Sequence, residues 1–318
     1  MKQQADCLQG DKKRGKWGKE MKKTGRRKKY QLEGYLYLLP AFIVFAVFIA
    51  YPIFFTFRTS FFEWDGFSPD MKFVGWENYR SIIESGKLPI ALRNFVLFFV
   101  FSVSMQMLIG MILAVSLKVQ TVFRTIVKSI VFIPVVLTPV VIGYVFLNML
   151  EPNMGFVNTL LRSLHLDFLA KSWLGDPNLA LGSIIVISIW QSTGFSLIMY
   201  IAGIVSIPSE VLEAAKIDGA GAVRSFIYVT FPLLKSTHAT MLILSAIGAL
   251  KTFDITWVLT GGGPGNATAT FSTLIMKESF DSYQQGTSSA LSVVLILLAL
   301  VITAFQLKLY NGKAGDVE

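Results

Sequence analysis

Several long stretches of the sequence carry no charged side chain, and this feature constrains the fold more than any other. Three of them cover residues 94–117, 129–150 and 282–307. Each is longer than the ~20 residues that an α-helix needs to cross the hydrocarbon core of a bilayer. Only 15% of the 318 residues are charged, whereas a soluble domain carries roughly 25%. These stretches predict helices that span a membrane.

Charge-poor windows along the whole chain predict six spans. Their approximate bounds are 35–57, 94–117, 129–150, 181–206, 233–260 and 286–307. The predicted fold class is therefore all-α, a polytopic membrane bundle of six transmembrane helices.

The net charge of +9 lies entirely in the first thirty residues. Residues 1–30 hold twelve Lys/Arg and three Asp/Glu, and the rest of the chain holds seventeen of each sign. A basic run directly before an apolar segment is typical of a cytoplasmic anchor, because Lys and Arg accumulate on that side. The same charge favours contact with anionic membrane lipid. Nucleic-acid binding is not indicated, since no aromatic stacking pattern accompanies the charges.

The distribution of Lys and Arg also predicts the orientation of the spans. With the N-terminus inside, twenty of the twenty-nine Lys/Arg lie on the inner side. Both termini are then cytoplasmic, and the outer loops cover residues 61–92, 151–180 and 261–285.

The inner loop between the fourth and fifth spans has the pattern of a short helix that ends abruptly. Ser209 is suited to cap its N-terminus, good helix formers continue to Ile217, and Gly219 and Gly221 favour a stop.

The side chains of this short helix suit a contact with another protein. Ala214 and Ala215 leave a small, flat surface, and Glu213 and Asp218 offer charge to a basic partner. From these residues alone, a docking surface and a connecting loop that happens to be helical both remain open.

One spacing in this loop resembles a known family. The loop reads Glu213-Ala214-Ala215, then three residues, Gly219, nine residues and Val229-Thr-Phe-Pro232. This spacing is similar to the EAA motif of ABC-importer permeases, Glu-Ala-Ala-x3-Gly-x9-Ile-x-Leu-Pro. The two departures, Val229 for Ile and Phe231 for Leu, exchange one apolar residue for another. Three further segments resemble the corresponding parts of carbohydrate-type permeases of the maltose-permease-F kind. They are residues 253–266, Leu38-Leu-Pro40 and Tyr51-Pro52.

The resemblance implies one half of a heterodimeric sugar importer in the plasma membrane of a prokaryote. Disaccharides, oligosaccharides and polyol phosphates are all compatible with it as the cargo. The expected partners are a second permease subunit, a cytoplasmic ATPase dimer and an extracellular sugar-binding protein. The ATPase would use ATP and Mg²⁺, so no cofactor is expected on this chain. The implied coupling loop is 207–232, and its predicted contact residues to the ATPase are Glu213, Ala214, Ala215, Asp218, Gly219 and Pro232.

The resemblance also divides the chain. It implies a basic cytoplasmic tail (1–30), a first transmembrane helix with an outer loop (31–92), a permease transmembrane domain (93–308) and a cytoplasmic C-terminal tail (309–318).

The candidates for a substrate pathway lie in the fourth and fifth spans. Lys251 and Asp254 are an ionisable pair inside a predicted span, at i and i+3 on one helix face. Charges at that depth face a wet cavity or one another, and the sequence favours neither. By resemblance, sugar contacts come from these two spans, and the polar and aromatic candidates are Trp190, Gln191, Ser192, Gly194, Ser245, Lys251, Thr252 and Asp254.

The sequence offers no catalytic machinery. The Gly-Gly-Gly-Pro-Gly run that begins at Gly261 lacks the Gly-Lys-Ser/Thr of a phosphate-binding loop, and we expect a transport subunit rather than an enzyme. An ion-coupled secondary transporter is the alternative. That class usually needs intramembrane carboxylates, and Asp254 is the one candidate in the predicted spans.

Overall fold

The structure, a computed structural model, describes residues 37–117 and 121–311. The predicted basic tail and most of the predicted C-terminal tail lie outside these ranges. The described residues divide into two units, with the boundary between Phe55 and Thr56.

Helices make up most of the described chain. In order they are α1 (Tyr37–Thr59), α2 (Glu77–Glu84), α3 (Lys87–Ser116), α4 (Val122–Val136), α5 (Pro139–Met149), α6 (Phe156–Ser163), α7 (Ala180–Val205), α8 (Ser209–Ile217), α9 (Ala222–Leu233), α10 (Lys235–Leu250), α11 (Asp254–Thr260), α12 (Phe271–Met276) and α13 (Gln285–Asn311). Two short strands, β1 (Phe62–Glu63) and β2 (Lys72–Phe73), pair antiparallel.

The predicted all-α membrane bundle is confirmed, and it contains bent spans. Four helices (α1, α3, α7 and α13) are each long and apolar enough to cross a bilayer. Two further pairs pass the same test together, α4 with α5 at a bend of 97° and α9 with α10 at a bend of 64°. Counting each bent pair as one span gives six.

The third predicted span, residues 129–150, is broken between α4 and α5. The residue before a proline avoids helical backbone, and Thr138 precedes Pro139. Thr138 adopts extended backbone, and its hydroxyl accepts a hydrogen bond from the Val141 amide. The break therefore follows from local chemistry, and α5 begins with its own cap.

The fifth predicted span, residues 233–260, differs more. Helix α10 ends at Leu250, and α11 begins at Asp254 after three intervening residues. Lys251 is the C-cap residue of α10, and Asp254 is the first residue of α11. The prediction that these two residues share one helix face was wrong, because the helix does not continue through Thr252 and Phe253.

Two clusters of buried apolar side chains hold the spans together. One joins α3, α7, α10, α11, α12 and α13. The other lies near the 207–232 loop and consists of Met111, Ala114, Leu117, Leu197, Tyr200, Ile204, Ile207 and Leu234. Packing of this kind drives helix association in a bilayer, where burial of apolar surface from water contributes little.

A buried ion pair ties the start of α3 to the π-helical segment Lys277–Asp281, which directly follows α12. The Lys87 ammonium lies 2.8 Å from the Glu278 carboxylate, whose side chain is 7% exposed. Removing one partner would leave a buried charge uncompensated. The pair therefore fixes the end of the bundle opposite the 207–232 loop.

Candidate functional site

The loop between α7 and α10 carries the first candidate site. Helix α8 ends in a Schellman turn, in which the Gly219 amide donates to the Lys216 carbonyl and the Ala220 amide to the Ala215 carbonyl, each at 3.0 Å. Gly219 adopts φ +76°, a left-handed conformation that side chains disfavour. Among the described residues, apart from its two neighbours in the chain, none places an atom within 4 Å of a Cβ built there. Backbone conformation, not space, therefore favours glycine at this position.

Helix α8 has an inner and an outer face. Ala215 is buried, and Leu212 packs against the apolar cluster near the loop. Glu213, Ala214 and Asp218 are exposed. One face therefore anchors the helix on the spans, and the other is free to meet a second molecule.

Exposed apolar side chains gather in the same loop. Ile217 is 86% exposed, Val223 is 72% exposed and Tyr228 is 74% exposed. Clustered exposed apolar residues mark interaction sites. Sequence reasoning did not single out these three residues, although an apolar residue next to the motif glycine was a visible signal. Pro232, also predicted, lies exposed in the last turn of α9.

The second candidate site is a cleft of about 410 Å³ between the spans. Its walls come from α3, the α4–α5 break, α7, α10 and the junction of α10 with α11. Six of the predicted pathway residues line it, namely Gln191, Ser192, Ser245, Lys251, Thr252 and Asp254.

The broken fifth span places charge at this cleft. Lys251 and Asp254 flank the break and both line the cleft. The ion pairs found among the described residues do not include one between them. Asp254 lies in the first turn of α11, where the helix dipole favours a carboxylate. The Thr252 carbonyl accepts a hydrogen bond from the Thr270 hydroxyl at 3.1 Å, which holds the break in place.

Two amide side chains shape the cleft, and one of them was missed by sequence reasoning. Gln106 is 6% exposed, and its amide donates to the Ser245 hydroxyl at 2.9 Å, so it joins α3 to α10. A glutamine inside an otherwise apolar window was the available signal. Gln191 donates to the Leu137 carbonyl at 3.4 Å, within the break between α4 and α5.

The other two predicted pathway residues lie outside the cleft lining. The Trp190 ring meets Phe146 edge-on at 5.4 Å. Gly194 is buried where α7 crosses α4, and a Cβ there would overlap the Val131 carbonyl and approach Phe132 Cα to 2.9 Å. The structure therefore gives Gly194 a role in close helix packing.

Within the described part of the chain, no group of three or more His, Cys, Asp or Glu side chains is placed to hold a metal ion. The cleft offers hydrogen-bonding groups and charge, and the loop offers a surface for contact.

Comparison with known proteins adds a family to this geometry. The sequence model of the family described as "Binding-protein-dependent transport system inner membrane component" matches residues 106–312. The chain is 36% identical to a probable ABC transporter permease protein, YurN, of Bacillus subtilis, over 89% of this chain and 97% of that protein. It is 34% identical to the trehalose/maltose transport system permease protein MalF of Thermococcus litoralis, over 86% and 92%.

A solved structure shares the fold. A chain of a bacterial alginate ABC transporter, crystallised in complex with an alginate pentasaccharide-bound periplasmic protein, matches with a TM-score of 0.76. The sequences are 23% identical, and the match covers 88% of this chain and 94% of that one.

Proposed function

Because this chain belongs to the family of binding-protein-dependent transport system inner membrane components, we propose that it is the membrane-spanning permease subunit of an ATP-driven importer that moves a sugar across the plasma membrane. It is a transport subunit and not an enzyme. The names of its relatives, which include trehalose/maltose and alginate systems, support a di- or oligosaccharide as the cargo.

The 207–232 loop is the proposed contact with a cytoplasmic ATPase, which binds ATP and Mg²⁺. The observation that supports this assignment is the exposed face of α8, with Glu213 and Ala214 beside the Gly219 turn. A short helix with a fixed end fits a groove in a partner. Its inner face, anchored by Leu212 and Ala215, passes a displacement on to the spans.

The cleft is the proposed sugar pathway. Sugars are bound by convergent hydrogen-bonding groups, and the cleft offers Gln106, Gln191, Ser192, Ser245 and Thr252. A second, distinct permease would supply the facing wall. ATP-driven closure of the ATPase dimer would then switch the two halves between inward- and outward-facing states.

The proposed orientation places both termini and the 207–232 loop in the cytoplasm, as the Lys/Arg distribution predicts. An extracellular sugar-binding protein would then meet the opposite ends of the spans. The periplasmic protein bound in the alginate transporter structure supports a partner of this kind.

Reconstitution tests this function directly. Proteoliposomes would contain the chain, its partner permease and the ATPase, with ATP inside and the sugar-binding protein outside, and would be offered a panel of labelled di- and oligosaccharides. We expect uptake that requires ATP and binding protein and persists with proton and sodium ionophores. Uptake that follows an ion gradient without ATP would contradict the proposal and favour an ion-coupled secondary transporter.

A further inference from the structure

A hydrogen-bonded relay crosses the bend between α9 and α10. The Tyr200 hydroxyl lies 2.8 Å from His238 Nδ1, and His238 Nε2 lies 3.3 Å from the Phe231 carbonyl oxygen. Tyr200 belongs to α7, His238 to α10 and Phe231 to α9. One imidazole therefore joins three helices where the 207–232 loop meets the spans.

In a neutral imidazole, the chemistry of the partners fixes the direction of both hydrogen bonds. A carbonyl oxygen only accepts, so His238 Nε2 carries the proton and donates to Phe231. Nδ1 of the neutral ring is then an acceptor and receives the Tyr200 O–H. Both ring nitrogens take part in hydrogen bonds, so an apolar ring in place of the imidazole would lose both bonds.

The position of Phe231 explains why a side chain is needed there. Helix α9 ends at Leu233, and the carbonyls in the last turn of a helix have no partner further along it. His238 lies one turn beyond Leu234 and reaches back over the 64° bend to the Phe231 carbonyl. The rings of Phe231 and His238 also pack at 4.7 Å. These contacts hold α9 and α10 at their angle.

Tyr200 gives the relay a fixed anchor. It is 1% exposed and belongs to the apolar cluster near the loop. Leu212 of α8 packs against the same cluster. The short helix, the bend and α7 therefore share one packed unit, and α7 and α10 continue from it to the walls of the cleft.

We propose that His238 is a positioning residue, which locks the angle between α9 and α10 so that a displacement of the 207–232 loop reaches the walls of the cleft. This inference rests on the proposed function, because it requires the loop to be the part that the ATPase moves. It adds a residue outside the Glu-Ala-Ala-Gly motif to the coupling machinery, and it gives that residue a defined protonation pattern.

The test compares variants in the reconstituted importer. His238→Phe keeps an aromatic ring and removes both hydrogen bonds, whereas His238→Gln keeps a donor that reaches the Phe231 carbonyl. For His238→Phe we expect ATPase association and ATP hydrolysis to remain, while sugar transported per ATP falls about tenfold, the change that corresponds to a 1.4 kcal/mol difference. His238→Gln should restore most of the ratio.

A second variant and a distance measurement guard against simple misfolding. Tyr200→Phe removes one hydrogen bond and leaves the packing, so the ratio should fall less than in His238→Phe. Spin labels at one exposed position on each side of the bend, Ile227→Cys on α9 and Thr240→Cys on α10 in a background with Cys7→Ser, should give a narrow distance distribution in the parent and a broader one with His238→Phe.

The outcomes separate this inference from the proposed function. A parent importer with no ATP-dependent uptake would overturn the function itself. A working parent with an unchanged ratio and distance distribution in His238→Phe would overturn only the role of His238. Loss of the folded complex in His238→Phe, with no recovery in His238→Gln and parent behaviour in Tyr200→Phe, would also reject it.

Discussion

The 207–232 loop and the cleft between the spans are built in opposite ways. The turn that ends α8 is held by backbone hydrogen bonds whose partners are three and five residues apart, Gly219 to Lys216 and Ala220 to Ala215. The cleft is held by side chains that meet across the sequence, since Gln106 and Ser245 are 139 residues apart and bond at 2.9 Å. Local backbone geometry sets the first region, and helix packing sets the second.

This difference decides how each region responds to a new side chain. At Gly219 there is room for a side chain but φ is unfavourable for one, so a substitution there acts through the backbone. Gly194 lies in the middle of α7 and has no room, so a substitution there acts through overlap with α4. The two glycines therefore offer clean and separate ways to disturb the two regions.

The largest effect is expected for Gly194→Val. Its Cβ would overlap backbone atoms of Val131 and Phe132, which cannot move aside as a flexible side chain can. Overpacking of this kind typically costs about 1–3 kcal/mol and sometimes more. We expect a lower thermal midpoint and less monodisperse complex in detergent.

Gly182→Val is the matched control for Gly194→Val. It lies on the same helix and is exposed, and beyond the backbone of its own helix no described residue places an atom within 4 Å of a built Cβ. Equal loss of stability in both variants would show that α7 tolerates no valine at all, and would remove the close contact with α4 as the cause.

The next effect is expected for Gly219→Ser. A side chain in left-handed backbone costs roughly 1–2 kcal/mol, so the end of α8 shifts or frays. We expect weaker ATPase binding and slower uptake, by about tenfold for 1.4 kcal/mol, with little change in the stability of the spans. Binding of the purified ATPase to the permease pair in nanodiscs measures this directly.

Gly221→Ser is the control for the loop. Gly221 is the cap residue of α9, with φ −63° and ψ 166°, a conformation and position that serine favours. We expect ATPase binding close to that of the parent. If Gly219→Ser also behaved like the parent, the turn geometry would have no part in docking.

The loop could be predicted from the sequence because its geometry is local. A glycine that follows a run of helix formers commonly ends the helix in left-handed backbone. The position of Gly219 in the sequence was therefore enough to predict the turn. Ser209 was expected to cap α8, yet the helix begins at Ser209 and the cap position is Pro208. One-residue shifts of this kind are common at helix ends.

The cleft could be predicted only in part. Polar residues in apolar spans pointed to Gln191 and Ser245, but which faces converge depends on packing between helices that no local pattern encodes. Pro139 signalled the break in the third span, because proline disfavours helix in the residue before it. Thr252 and Phe253 carry no such signal, and so the break between Lys251 and Asp254 was missed.

A smaller effect is expected for Gln106→Leu. It removes the hydrogen bond to Ser245 and one polar group from the wall of the cleft, and it leaves the loop unchanged. We expect the KM for sugar uptake to rise several-fold, as about 1 kcal/mol per lost hydrogen bond implies, with unaltered ATPase binding.

Ser292→Ala serves as the control for Gln106→Leu. Its hydroxyl donates to the Ser288 carbonyl within α13 and does not line the cleft. If both variants had the same KM as the parent protein, the assignment of the cleft as the sugar pathway would be contradicted.

The smallest effect, and the sharpest contrast within one helix, is expected for the neighbours Trp190 and Gln191. Gln191 lines the cleft, and its bond to the Leu137 carbonyl is long at 3.4 Å, so its amide is only weakly committed. Gln191→Leu should raise the KM about two- to threefold, less than Gln106→Leu, because it removes one polar group from the cleft wall and does not also unpair the Ser245 hydroxyl. Trp190 meets Phe146 instead, so Trp190→Phe should leave the KM unchanged. The reverse result, with a KM that responds to Trp190 and not to Gln191, would mean that α7 presents its other face to the sugar.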